Sequence, residues 1–470
     1  MKCSFLRDIL FTLPILLLLA TAPAVSQSEL SPALQQKVDS IATGVLAKSG
    51  LPSASIAVVQ NDRIVYAKAY GFARLEPKIP ANTDMRYCVG SISKQFTSAA
   101  ILLLQQEGKL SLDDPVSKFL PDLTRANEVT IRELLSHTSG YQDFWPQDYV
   151  MPFILKPTTA EHILDRWAKK PLDFDPGTKW QYSNTNFVIA GMIVERVAGI
   201  PIFRFLQQNV FGPLGMRSVE DIDAPVDTSN GVTGYFRVAL GPLRPAPREG
   251  KGWMFAAGEL KMTPTDLARW DISLIDERLL SRSSYEDLER EVLLKNGLGT
   301  HYGLGVSVGS RSGHRYVSHS GEVSGFTAQN IVFPDDSAAV VVLTNQDASP
   351  SAGAILWGIA PLLLEQNDAT TPKRTELARK IFEGLQKGTI DRSLFTEDAN
   401  FYFNEQALSD CKESLGPLGE PKEFVQVGES LRGGMKERVY RVRFQEKSLR
   451  VWTYELPDGK LEQYQIAEQN

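Results

Sequence analysis

Apolar and polar positions along this chain change period at a small number of places, and those places mark its elements. Residues 31–49 carry apolar side chains at helical spacing, and Gly50 and Pro52 close the run, which predicts an amphipathic helix. Residues 55–59 and 64–70 alternate instead, around Asn61-Asp62, the pattern of a β-hairpin. Residues 92–107 are almost wholly apolar and end at Gly108, a residue suited to a left-handed cap. A helix apolar on nearly every side is a buried one. From 110 to about 220 the pattern is mostly helical, broken by Pro and Gly. Strand character returns at 316–319, 326–333 and 338–344, with Pro334-Asp335-Asp336 as the turn between the last two. Residues 338–343 form an uninterrupted apolar run, as in a strand buried on both faces, and 352–364 predict a closing helix.

Strands near both ends of one domain, with helices between, predict a single sheet built from those two ends and a helical part packed beside it, an α+β architecture. The chain has 470 residues, too many for one ordinary core, so a second and smaller domain is expected. Residues 366–374 are polar, contain Pro372 and suit a linker between a domain at 30–365 and one at 375–470. The latter reads as a helix, a short helix and strands at 424–428, 438–444, 449–454 and 461–466, which suits a small curved sheet wrapped on a helix.

The first 26 residues read as processing rather than fold. Lys2 and Arg7 form a positive start, residues 9–20 are apolar except for Thr12 and Pro14, and Ala24-Val25-Ser26 fits a cleavage site ahead of Gln27. The run is shorter than the ~20 apolar residues that span a bilayer. The expectation is an exported chain, periplasmic or secreted, with no stable membrane insertion after cleavage. Lys and Arg total 50 against 56 Asp and Glu, with no basic block to track a phosphate backbone, so nucleic acid is not an expected partner. Cys88 and Cys411, the cysteines left after cleavage, are too few for a disulfide framework and read as two unrelated thiols. The five histidines show no ligand spacing such as HExxH, so neither a catalytic metal nor another cofactor is expected.

A serine hydroxyl is essentially un-ionised at neutral pH and needs a base before it can attack a carbonyl. Ser91-Ile-Ser-Lys94 places a lysine one helical turn after a serine, at the start of the buried helix, where i and i+3 share a face. Unpaired N–H groups and the positive end of the helix dipole favour developing negative charge there. Serine is also a common N-cap, and the spacing recurs by chance: Ser409-Asp-Cys-Lys412 fits it equally, Tyr402-Phe-Asn404 fits Y-x-N, and Lys48-Ser-Gly50 fits [KH]-[ST]-G. Order separates them. Ser91 is followed by Tyr182-Ser-Asn184 and then by His319-Ser-Gly321 on a strand, whereas Ser409 follows its Y-x-N and has no third motif after it.

Those three motifs, Ser91-x-x-Lys94, Tyr182-x-Asn184 and His319-Ser320-Gly321, resemble those of penicillin-binding proteins and serine β-lactamases, in the branch of class C β-lactamases, D,D-carboxypeptidases and related esterases. The segments 89–97, 108–115 and 131–140 carry the same likeness, which covers roughly residues 35–365. The resemblance implies a β-lactamase/transpeptidase-like antiparallel sheet flanked by helices. It also implies a serine hydrolase acting through an acyl-enzyme on a small amide, β-lactam or ester, including peptidoglycan-derived substrates. A carboxylesterase, or a penicillin-binding sensor that acylates without turnover, are the alternatives within the family; a C-terminal domain acting as binding module or lid is another.

By the same resemblance Ser91 is the nucleophile, and Lys94 and Tyr182 share the base and acid duty, with a cationic lysine lowering the phenol's pKa. Asn184 holds the substrate amide or the lysine, and the N–H groups of Ser91 and Glu322 form the oxyanion hole, beside Ser320 and Gly321. His319 departs from the lysine usual in the β-lactamase form and weakens the positive charge available to a substrate carboxylate, unless Glu322 raises its pKa. His301-Tyr302-Gly303 is a rival third motif without the small hydroxyl residue. Residues 136–140 read as a structural polar turn and 401–403 as core, while Trp253, Phe255 and Gly258 are equally suited to cleft or packing.

Overall fold

The computed structural model describes residues 29–147, 149–224, 231–311, 313–364 and 371–468. The signal segment expected at 1–26 and the first part of the expected linker lie outside these residues; 371–374 open a helix rather than a linker.

Helix α1 (Pro32–Ser49) starts where the Ser31 side chain accepts from the N–H of Leu34 and stops at Gly50, whose φ of 72° is the left-handed cap that glycine adopts without penalty. Strands β1 (Ser53–Gln60) and β2 (Arg63–Leu75) follow as the expected hairpin. Asn61 and Asp62 both have positive φ, the turn geometry that matches strand twist. The sheet continues with β3 (Lys78–Pro80), β4 (Ser307–Arg311), β5 (His314–Val323), β6 (Phe326–Phe333) and β7 (Ala338–Thr344) in the order β3-β2-β1-β7-β6-β5-β4. Every pairing is antiparallel, and the joint between the two chain ends is β1 on β7, from Ala54 opposite Thr344 to Gln60 opposite Ala338.

These two central strands explain the uninterrupted apolar runs, because each buries both faces. Ile56, Val58, Val340 and Val342 point into a core built with α1 and a late helix (Ser351–Leu364). Ala57, Val59, Val341 and Leu343 point into the larger core with α2 (Ser93–Gln106), α3 (Asn184–Ala198) and α4 (Pro264–Asp276). Helix α2 is buried along nearly its whole length, and Phe96 packs on Phe211 and Trp270.

Residues from 371 onward have a core of their own, built on Phe382, Phe424, Tyr440, Val451 and Tyr464. Its sheet is a four-stranded meander (Glu423–Arg432, Met435–Arg443, Ser448–Glu455, Leu461–Glu468), preceded by helices Thr371–Gln386, Glu397–Tyr402 and Glu405–Leu415, one helix more than the sequence pattern suggests. The expectation that residues 401–403 are core holds for Phe403 alone. Phe401 and Tyr402 are 84% and 55% exposed, because a short helix shows only one of three consecutive side chains to the sheet. Cys88 and Cys411 are both free and partly buried. Among the described residues no single helix is long and apolar enough to cross a membrane, and no group of three or more His, Cys, Asp or Glu is placed to hold a metal ion.

Candidate active site

Ser91 sits on a 3-10 turn (Gly90–Ile92) that feeds directly into α2. Two glycines let this turn touch strand β5. A Cβ on Gly321 would lie 1.8 Å from the carbonyl oxygen of Val89 and 3.1 Å from the amide nitrogen of Ser91. A Cβ on Gly90, already at φ 52°, would lie 2.7 Å from the amide nitrogen of Glu322. Only glycine tolerates such backbone approach, which brings the turn bearing Ser91 and the strand bearing Glu322 together backbone to backbone.

Lys94, fully buried in the first turn of α2, directs its Nζ at the Oγ of Ser91 (2.9 Å), the Oδ1 of Asn184 (2.8 Å) and the carbonyl oxygen of Ala257 (2.7 Å). It also lies over the rings of Tyr182 and Phe187. Burial pushes its pKa down to about 7, opposed by the charge of Asp143. Asn184 opens α3, and its amide orientation is fixed by Asp143, whose carboxylate accepts from the Asn184 backbone N–H (2.9 Å) and side-chain Nδ2 (3.2 Å). Of the two roles expected for Asn184, holding the lysine is the one present in this geometry.

Tyr182 precedes α3 and is half-buried, with its hydroxyl near the Ser91 side chain. The expected lowering of the phenol's pKa is not found. Burial raises it, the nearby Ser91 hydroxyl opposes this, and the Asp143 charge adds to the rise. Beneath Tyr182 lies His137, ring centroids 4.2 Å apart, whose Nδ1 accepts from the backbone N–H of Ser183 (3.2 Å). Residues 136–139, read as a polar turn, form one, but it is fully buried and holds the tyrosine from behind.

His319, 5% exposed, has its Nδ1 on the carbonyl oxygen of Ser320 and its Nε2 2.7 Å from the hydroxyl of Tyr302. Burial first, and the charge of Lys94 second, push its pKa down to about 4. The suggestion that Glu322 raises it is overturned: the Glu322 carboxylate accepts from the N–H of Ala348 (2.8 Å), and His319 moves in the opposite direction. Ser91, Tyr182, Asn184, His319, Ser320 and Glu322 all line one cleft of about 1030 Å³, with Gly258 on its wall. Trp253 does not reach it, being packed among Phe144, Phe153 and Trp167, and the ring of Phe255 faces Gly191 on α3.

Sequence reasoning missed Asp143 and Tyr302. Tyr302 belongs to the rival third motif, so its signal was present but attached to the wrong residue of that triplet. Asp143 lies in a loop with no periodicity, and its contact with Asn184 crosses 41 residues. The decoys fall away: Ser409 and Lys412 are solvent-exposed, and Lys48-Ser-Gly50 is the end of α1.

An antiparallel sheet with a buried helix that starts at a serine–lysine pair defines a serine hydrolase. More specifically, the chain belongs to the Beta-lactamase family, whose model matches residues 38–363. Penicillin-binding protein 4* of Bacillus subtilis (strain 168) is 28% identical over 392 residues, covering 80% of this chain and 84% of that protein. D-aminopeptidase of Brucella anthropi is 28% identical over 306 residues, 64% of this chain and 57% of that protein. Among solved structures, the octameric penicillin-binding protein homologue from Pyrococcus abyssi superposes with a TM-score of 0.63 at 23% identity, covering 93% of this chain and 96% of that one. A D-stereospecific amidohydrolase from Streptomyces sp. gives 0.59 at 26% identity, covering 69% and 97%.

Proposed function

We propose that this chain is an exported serine hydrolase that forms an acyl-enzyme on Ser91 from a small amide, β-lactam or ester, with Lys94 as the base. The hydrogen-bond arithmetic at Lys94 carries this reading. A neutral lysine has two N–H groups and one lone pair. The Oδ1 of Asn184 and the carbonyl oxygen of Ala257 can only accept, so they take the two N–H groups and leave the lone pair for the Ser91 hydroxyl at 2.9 Å. A pKa of about 7 makes a large fraction of Lys94 neutral at physiological pH.

In the forward step the Ser91 Oγ attacks the carbonyl carbon while its proton passes to Lys94. The carbonyl oxygen, becoming an oxyanion, takes the amides of Ser91 and Glu322. Tyr182 keeps its proton at neutral pH, because burial raises its pKa, and gives that proton to the departing amine or alcohol. Lys94 then passes the proton it took to the Tyr182 phenolate and is neutral again; it next accepts a proton from the water that attacks the acyl carbon, and that proton goes to the Ser91 Oγ as the acyl–oxygen bond breaks. Export is supported by the positive start, apolar run and small-residue site in residues 1–26.

The test is a turnover panel on the mature protein: nitrocefin, a short-chain aryl ester, a peptide ending in D-Ala-D-Ala and a D-amino acid amide. Hydrolysis of at least one member, lost in Ser91→Ala, is expected. No acyl adduct and no turnover with any of them would reject the reading. Acylation without turnover would favour the sensor instead. N-terminal sequencing of the exported product checks the cleavage site before Gln27.

A further inference from the structure

We infer that the cleft disfavours substrates with a carboxylate on the side of the scissile bond that faces His319, and that Tyr302 is the residue enforcing this, by holding His319 with no N–H left to offer. The inference rests on Ser91 being the nucleophile.

The strand edge sets where that part of a substrate runs. Strand β5 pairs with β6 along Val317 to Val323, but with β4 only as far as Ser318 opposite Ser307. The stretch from His319 to Val323 therefore has no β4 partner beside it, and His319, Ser320, Glu322 and Val323 line the cleft. A substrate whose carbonyl oxygen sits on the amides of Ser91 and Glu322 lays its neighbouring groups along this edge.

His319 can give nothing to an anion there. Its Nδ1 faces the carbonyl oxygen of Ser320, which can only accept, so Nδ1 carries the hydrogen. Nε2 is then a lone pair and accepts from the Tyr302 hydroxyl at 2.7 Å. Tyr302 is itself buried, and burial pushes its pKa well up, so it stays a donor. Both ring nitrogens are spent inside the protein. The cleft wall also carries the carboxyl groups of Asp143, Glu322 and Asp347, against the cation of Lys94 behind Ser91. Among the described lining residues Arg237 is the only Lys or Arg, and its guanidinium lies against Gly50, where a Cβ would stand 3.2 Å from it. An incoming carboxylate would lose its water for neutral hydroxyls such as that of Ser320 and would gain no N–H from His319, a penalty that discriminates between ligands as effectively as an attraction does.

A pair of aryl phosphonates, alike except that one ends in a carboxylate and the other in a carboxamide, tests this directly. In both, the Ser91 Oγ bonds to phosphorus as the phenol leaves, and intact-mass spectrometry reads the rate. The carboxamide should label wild type faster by on the order of tenfold or more. Tyr302→Phe, which leaves Nε2 without its donor, should shrink that ratio, and His319→Lys should move it towards the carboxylate. Equal rates in wild type, or a preference for the carboxylate, would overturn the inference while leaving Ser91 as nucleophile. Equal slowing of both probes by Tyr302→Phe would reduce Tyr302 to a structural role and overturn its part. If neither probe modifies Ser91, the hydrolase reading itself fails.

Discussion

The chain contains the same spacing twice, and the two copies behave as different chemistry. Ser91 and Lys94 stand at the head of a buried helix, with the lysine enclosed and bonded to serine, asparagine and a carbonyl. Ser409 and Lys412 stand on an exposed helix, where the Ser409 hydroxyl meets only the carboxylate of Glu413 at 3.3 Å, among the bonds found for it. The would-be partners differ in the same way. Tyr182 is half-buried against His137 and near the Ser91 side chain, whereas Tyr402 is 55% exposed and Asn404 is spent on capping its own helix through the N–H of Ala407. Helical spacing supplies adjacency. Reactivity comes from desolvation, which pulls a lysine pKa towards neutrality, and from acceptors that dictate where its lone pair points.

The contrast can be broken most forcefully at the nucleophile. Ser91→Ala should lower acylation by on the order of 10³-fold or more in a phosphonate-labelling assay. Next in size, Lys94→Met should cost on the order of 10²- to 10⁴-fold and should erase the pH dependence as well as the rate. The sign of that dependence follows from the depressed pKa. Lys94 acts as base only when neutral, so the wild-type acylation rate should climb as pH rises through about 7 and flatten above it. A subtler change comes from Asp143→Asn. The Asp143 charge raises the lysine's pKa, so removing it should move the rising limb to lower pH while the bond to Asn184 survives, a shift visible in a pH–rate profile. Smallest of all, Ser409→Ala and Lys412→Met should leave the labelling rate and the pH profile unchanged; an effect there equal to that at Ser91 would dissolve the contrast.

Much of the frame could be read from the amino-acid order because local patterns report it. The hairpin at Asn61-Asp62, the cap at Gly50 and the continuous runs in β1 and β7 are consequences of φ preference and of burial on both faces. The nucleophile was legible through the order of three motifs rather than through any one. What remained hidden depends on contacts far apart in sequence. Asp143 reaches Asn184 across 41 residues, and Tyr302 occupies a triplet that competes with His319 on paper and supports it in space. The direction of the Tyr182 shift was also illegible, since it turns first on burial, and burial is a property of the packed chain. Exposed aromatics mislead for a related reason: Phe401 and Tyr402 look like core until a short helix turns them outward.

The most direct test is peptide-mapped mass spectrometry of a phosphonate adduct, with labelling rates taken between about pH 5 and pH 9. The adduct should fall on the peptide containing Ser91, at a rate that rises through about pH 7 in wild type and is flat and slow in Lys94→Met. An adduct on the peptide containing Ser409, or a Lys94→Met variant labelled as fast as wild type, would contradict the account.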